Sequence, residues 1–195
     1  MTRSARPTVV FVPGLRDHVR DHWQTLTADR LARAGRAVHT VAPLTVDRLS
    51  RAARVAALDD LLDNALSRDP GPILLVGHSA GTITIAHWAQ RHRVPIQGAL
   101  LATPPDFETP LPDGYPTPEE LAMNGWTPVP RAPLPFPSVV AASANDPLAA
   151  AERVARLAGD WGSRLVELGP VGHLNPASGF GEWSRAEELL HELVR

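Results

Sequence analysis

Six short apolar runs, each parted from the next by helical periodicity, constrain this chain more than any other feature. TVVFVPG (8–14), AVHTVAPL (37–44), PILLVGH (72–78), GALLATP (98–104), PSVVAASAN (137–145) and SRLVELG (163–169) read as strands. Their apolar residues are largely continuous rather than alternating, the pattern of strands covered on both faces. Segments 21–35, 47–68, 80–92, 147–158 and 182–194 read as helices. The first ends in a glycine stop, and in the second Leu49, Ala53, Ala56, Ala57 and Leu61 share one face. Strand and helix in alternation predict an α/β fold, a mostly parallel sheet inside three α/β/α layers. In such sheets ligands bind beyond the carboxyl ends of the strands. With 195 residues the chain suffices for one domain with a full core, and 1–195 is expected to form one.

One segment departs from the alternation. Residues 103–137 hold 11 of the 20 prolines, together with Phe107, Tyr115, Trp126 and Phe136. Four aromatics are more apolar area than a solvated linker needs, so an ordered flap packed over the strand ends is expected. Trp126 and Phe136 are its candidate substrate contacts.

Composition removes several chemistries. All 19 basic residues are arginine, so no P-loop lysine, pyridoxal-phosphate Schiff base or Ser-Lys dyad is available. No cysteine is present, which excludes thiol nucleophiles, disulfides and cysteine-based zinc sites. A net charge of −2 offers no basic field for nucleic acid or anionic lipid. The apolar run in MTRSARPTVVFVPG is too short for a signal peptide, and no run approaches the roughly 18 residues that span a bilayer. A cytoplasmic protein without cofactor or metal is expected; its oligomeric state is left open.

The chemistry gathers at ILLVGHSAGT (73–82). G-x-S-x-G between a strand and a helix forms a nucleophile elbow, in which Ser79 is held above the sheet by a strained turn. Gly77 and Gly81 are required because a Cβ at either position would meet the neighbouring strand or helix. The helix starting at Ala80 directs free amides and its positive dipole end at the same place. A serine hydroxyl needs a base. Of the eight histidines, His173 directly follows the last strand, on a glycine-containing loop at the carboxyl end. His78 points away from the elbow as a packing residue, His87 and His92 recede along the next helix, His39 lies in a strand and His191 in the last helix. His18 and His22 are four apart and could share a helix face, but no H-E-x-x-H glutamate or third ligand accompanies them. Asp146 follows the fifth strand and can orient the imidazole, although an N-cap or Asx-turn role fits the same position. Asp160, in a turn, and Glu167, within a strand, are poorer candidates. The oxyanion hole needs two backbone donors. Ala80 supplies one, and the VPGLRDH loop the other, with Leu15 preferred over Arg16.

The order Ser79, Asp146, His173 is the chain order of the α/β-hydrolases. The elements VPG…HWQ, GHSAG, FPSVVAASANDP and GHLNPASGFGEW resemble the small serine hydrolases of the retinoblastoma-binding-protein or YdeN-like type, over about residues 9–183. The resemblance implies a reduced α/β-hydrolase fold without a large cap, and a triad of Ser79, Asp146 and His173. The retinoblastoma association does not carry over, because its L-x-C-x-E motif needs a cysteine. His22-Trp23-Gln24 suggests only burial of Trp23, and Asn175 a brace for the His173 loop. The expected function is a carboxylesterase-like serine hydrolase acting through an acyl-enzyme on a small ester or amide, its only partner a small acyl substrate. The alternative is a binding or regulatory protein with an idle triad.

Overall fold

A computed structural model describes residues 6–16, 19–68, 71–91 and 94–194 of the chain. Six strands, β1 (Thr8–Val12), β2 (Val38–Thr40), β3 (Ile73–His78), β4 (Ile96–Ala102), β5 (Ser138–Ala142) and β6 (Arg164–Glu167), form one sheet ordered β2-β1-β3-β4-β5-β6. Every neighbouring pair is parallel. Among the described residues six α-helices alternate with them: α1 (Trp23–Arg33), α2 (Arg51–Arg68), α3 (Ala80–Ala89), α4 (Pro118–Met123), α5 (Ala151–Asp160) and α6 (Arg185–Glu192). This is the expected α/β sheet wrapped on both faces.

Because strand side chains alternate, each central strand feeds two cores. Val9, Phe11, Leu74, Val76 and Leu100 pack with Trp23 and Leu31 of α1 and Leu189 and Leu190 of α6. Val10, Val12, Leu75, Leu101 and Val140 pack with Leu58 and Leu62 of α2, Ile83 of α3, and Val154 and Leu157 of α5. Coverage of both faces fails at the edges, where β2 is half-buried and β6 largely exposed.

Helix α1 buries Trp23, Thr27 and Leu31, four residues apart, and ends at Gly35 in the left-handed region. The Arg36 amide reaches Leu31 O and the Gly35 amide Ala32 O, a Schellman stop. In α2 the buried line is Arg54, Leu58, Leu62 and Ala65; of the expected face, Leu49, Ala57 and Leu61 pack against the core only partly buried, and Ala56 is exposed. Two leucines outweigh small alanines in buried area, and Arg54 turns inward to meet carbonyls. Helix α5 begins at Ala151 rather than at Pro147, because Asp146 Oδ1 takes the Leu148 amide at 2.9 Å and makes a separate turn first.

The segment 103–137 is ordered. It buries Phe107, Leu121, Trp126, Val129, Leu134 and Phe136 against the α2–α3–α5 side of the sheet. Helix α4 within it is closed by a capping box between Thr117 and Glu120. Among the described residues no helix is long and apolar enough to cross a membrane.

Candidate active site

The strand order reverses at β1, whose neighbours β2 and β3 are reached in opposite directions, and a crevice opens there at the carboxyl ends. Val12 pairs with Gly77 across it, so the loop after β1 lies beside the turn after β3.

That turn carries Ser79 at φ 55 and ψ −129, a conformation costing a non-glycine residue about 1–3 kcal/mol. The surroundings hold it there. The Ser79 amide donates to Ala102 O on β4 at 3.0 Å, and its carbonyl accepts from the Thr82 amide and hydroxyl. A Cβ on Gly81 would lie 1.9 Å from Val12 O, and one on Gly77 would lie 3.0 Å from the backbone nitrogen of Thr82. Both glycines are therefore demanded by close packing. Ala80 opens α3, so its amide has no acceptor within the helix.

Gly14 completes the approach from β1, for a Cβ there would stand 3.0 Å from Ser79 Cβ. Arg54 holds this loop from behind. It donates to Gly14 O at 3.3 Å and Leu15 O at 3.4 Å. With its carbonyls drawn toward α2, the loop keeps Leu15 on the cavity wall. Nothing in the sequence marked Arg54, because mid-helix arginines are usually solvated.

His173 sits on the loop after β6, nearly buried, with Nδ1 2.8 and 3.0 Å from the Asp146 carboxylate oxygens. Asp146 also accepts the Leu148 amide in an Asx turn, so one carboxylate makes both contacts. The loop is fastened from several sides. Gly172 N donates to Asn145 Oδ1 at 2.6 Å, and His173 N to Ser178 Oγ at 3.0 Å. Ser178 belongs to a 3₁₀ turn (Pro176–Ser178) whose N-cap is Asn175, so Asn175 does brace the loop, at one remove.

His78 does more than pack. Its Nε2 lies 2.9 Å from His173 O, across 95 residues of sequence, and its ring meets those of His22 and His173 at 4.5 and 4.9 Å. Burial, then the neighbouring His173 and His22, push His78 well below its ordinary value. The ring is thus neutral, with Nε2–H donating to the carbonyl and tying the Ser79 turn to the His173 loop.

The HWQ element, which suggested only burial, also acts here. His22 caps α1 by accepting the Gln24 amide at 3.2 Å. The Gln24 side-chain amide donates to Val76 O at 2.9 Å and Val12 O at 3.4 Å, bridging β1 and β3 below the site. Trp23 is fully buried against Trp183. His18 and His92 lie outside the described residues, and within those residues no group of three possible metal ligands occurs.

Over Ser79 lies a cavity of about 240 Å³, whose wall includes Leu15, His22, Phe107, Leu111, Leu148 and His173. The structure brings Ser79, His173 and Leu15 to it, and Asp146 directly behind His173. It does not bring Trp126 or Phe136. Trp126 is fully buried, donates from Nε1 to Leu49 O at 2.6 Å and packs edge-on against Phe107; Phe136 is likewise core. The flap residues that line the cavity are instead Phe107, Leu111 and Tyr115, nearer the flap's start.

A parallel sheet with a strained serine turn at its switch point defines an α/β-hydrolase fold. The chain matches the model of the serine hydrolase family over residues 9–192 and belongs to that family. It is 28% identical to a YdeN-like hydrolase from Pectobacterium atrosepticum, covering 97% of this chain and 94% of that one, with a TM-score of 0.73. The ydeN gene product of B. subtilis shares the fold at 17% identity and a TM-score of 0.70, covering 96% and 98% of the two chains. Est1E from Butyrivibrio proteoclasticus does so at 13% identity and a TM-score of 0.71, covering 99% and 90%. No curated protein matches the chain in sequence.

Proposed function

We propose that this serine hydrolase is a carboxylesterase working through Ser79, His173 and Asp146 and a covalent acyl-enzyme. The observation that carries the reading is the buried Asp146–His173 pair beside a strained Ser79 that opens on the same cavity. With Nδ1–H given to Asp146, the lone pair of His173 is on Nε2. Ser79 Oγ attacks the ester carbonyl while its proton passes to His173 Nε2. The tetrahedral oxyanion takes the amides of Ala80 and Leu15. Collapse breaks the bond to the alcohol, which leaves with the proton held by His173. Water, deprotonated by the same nitrogen, then releases the acid and restores Ser79.

Asp146 stabilises the imidazolium without accepting its proton. The cavity, about 240 Å³ and walled by Leu15, Phe107, Leu111 and Leu148, suits a small acyl group rather than a polymer. A fluorophosphonate probe should form one adduct, on Ser79. Ser79→Ala should lose the adduct together with about 10⁶-fold in kcat toward p-nitrophenyl butyrate. Hydrolysis by that variant at the parent's rate would sink the proposal.

A further inference from the structure

The cavity over Ser79 is apolar along most of its wall, but Arg16 breaks the pattern. It carries the one permanent charge among the described residues that line the cavity, and no Asp or Glu there offsets it. Arg30, Arg131, Arg153 and Arg164 each form an ion pair with a carboxylate. Among the described residues Arg16 has no carboxylate partner. Its guanidinium lies over the Tyr115 ring of the flap, 4.5 Å from the centroid. Contact through a ring face holds the group in place while consuming none of its five N–H donors. The result is a solvent-exposed cation at the cavity wall, resting on Tyr115 with its N–H donors open to a ligand, two residues beyond the Gly14 that abuts Ser79.

We infer that Arg16 selects substrates bearing a carboxylate: small half-esters of dicarboxylic acids, with the ester carbonyl at Ser79 and the free carboxylate on the guanidinium. The planar fork of arginine matches a carboxylate through two parallel hydrogen bonds, which a lysine would not reproduce. Between the two ends the acyl chain lies against Leu15, Phe107 and Leu111. The inference rests on Ser79 being the nucleophile.

Ethanol release from monoethyl glutarate and from ethyl valerate, an uncharged ester with the same acyl carbon count, tests it. At low ionic strength the parent should favour the half-ester in kcat/KM by about fivefold to tenfold. Arg16→Gln should erase that preference, and Arg16→Lys should keep only part of it. The backbone amide remains in both variants, so the ratio of the two esters reports the side chain alone. Salt near 0.5 M should shrink the preference of the parent and leave Arg16→Gln unaffected. No preference in the parent, an unchanged ratio in Arg16→Gln, or failure to cleave either ester by protein that the fluorophosphonate labels would each overturn the inference. Undiminished cleavage by Ser79→Ala would instead overturn the nucleophile assignment beneath it.

Discussion

The loop carrying His173 and the proline-rich flap both close over the carboxyl ends of the strands, and they are fastened by opposite means. The His173 loop is held by directional bonds from distant residues: His78 on its carbonyl, Asn145 on Gly172, Ser178 on its amide. The flap is held by area, with Phe107, Leu121, Trp126, Val129, Leu134 and Phe136 buried. Imidazole must be placed to a fraction of an ångström to take a proton, and only directional contacts specify position that finely. A cavity wall needs to exclude water, which buried area does without fixing each atom.

The comparison breaks most severely at Asp146. Asp146→Asn should leave the loop in place and lower kcat by about 10⁴-fold, through the wrong imidazole tautomer. On the flap, Trp126→Ala should cost about 3–5 kcal/mol of stability, read from denaturant midpoints. Below its melting transition that variant should lose far less kcat than Asp146→Asn, and an equal loss would abolish the contrast.

His78→Leu comes next. It leaves the His173 carbonyl without its donor, at a cost of about 1–3 kcal/mol of stability, and the loosened His173 should lower kcat by up to about 100-fold with KM little changed. His78→Gln places an amide donor within reach of the same carbonyl and should recover most of the rate. The same histidine links stability to pH. In the folded protein burial, then the nearby His173 and His22, keep it unprotonated well below 6.5, whereas the unfolded chain binds a proton there. Unfolding free energy from His78 is therefore fully present above about pH 6.5 and declines below it, by at most about 1.4 kcal/mol per pH unit. His87, also lowered by burial, acts with the same sign, so the curve of His78→Gln should be flatter than that of the parent but not flat.

The smallest effect belongs to the clasp at the flap's base. Burial opposes ionisation of Asp106, but hydrogen bonds from Arg153, Thr109 and the Glu108 amide outweigh it and hold the carboxyl below its ordinary value. Arg153 is about a third exposed, so Arg153→Ala should cost only about 1 kcal/mol, and less in high salt.

Much of this arrangement was legible along the chain. Apolar runs and helical periods foretold the sheet and its layers, since burial on two faces imposes continuous apolar strands. Glycine spacing in GHSAG foretold the turn, because Gly77 and Gly81 are demanded by contacts within one strand–turn–helix unit and the strand beside it. Asp146 and His173 were singled out by their places just past strands, and their side chains meet in the structure. What escaped were contacts between residues far apart in sequence. His78 was read as a neighbour of the serine because its bond to His173 O spans 95 residues. Trp126 and Phe136 were assigned to the cavity because aromatic residues in a flap look alike until the chain is folded. The face of α2 was caught only at its flank, through Leu49, Ala57 and Leu61, since the pull of Gly14 O and Leu15 O on Arg54 leaves no periodic trace.

By itself, then, the sequence determined the layered parallel sheet, the exposed serine turn and the strand ends on which Asp146 and His173 would stand, because hydrophobic period and glycine sterics act over a few residues. Tertiary structure alone decided which flap aromatics reach the cavity, that His78 ties the Ser79 turn to the His173 loop, and that Arg16 lies on Tyr115 beside an apolar wall. Those are meetings of side chains from separate strands and loops, and they exist only once the chain has closed on itself.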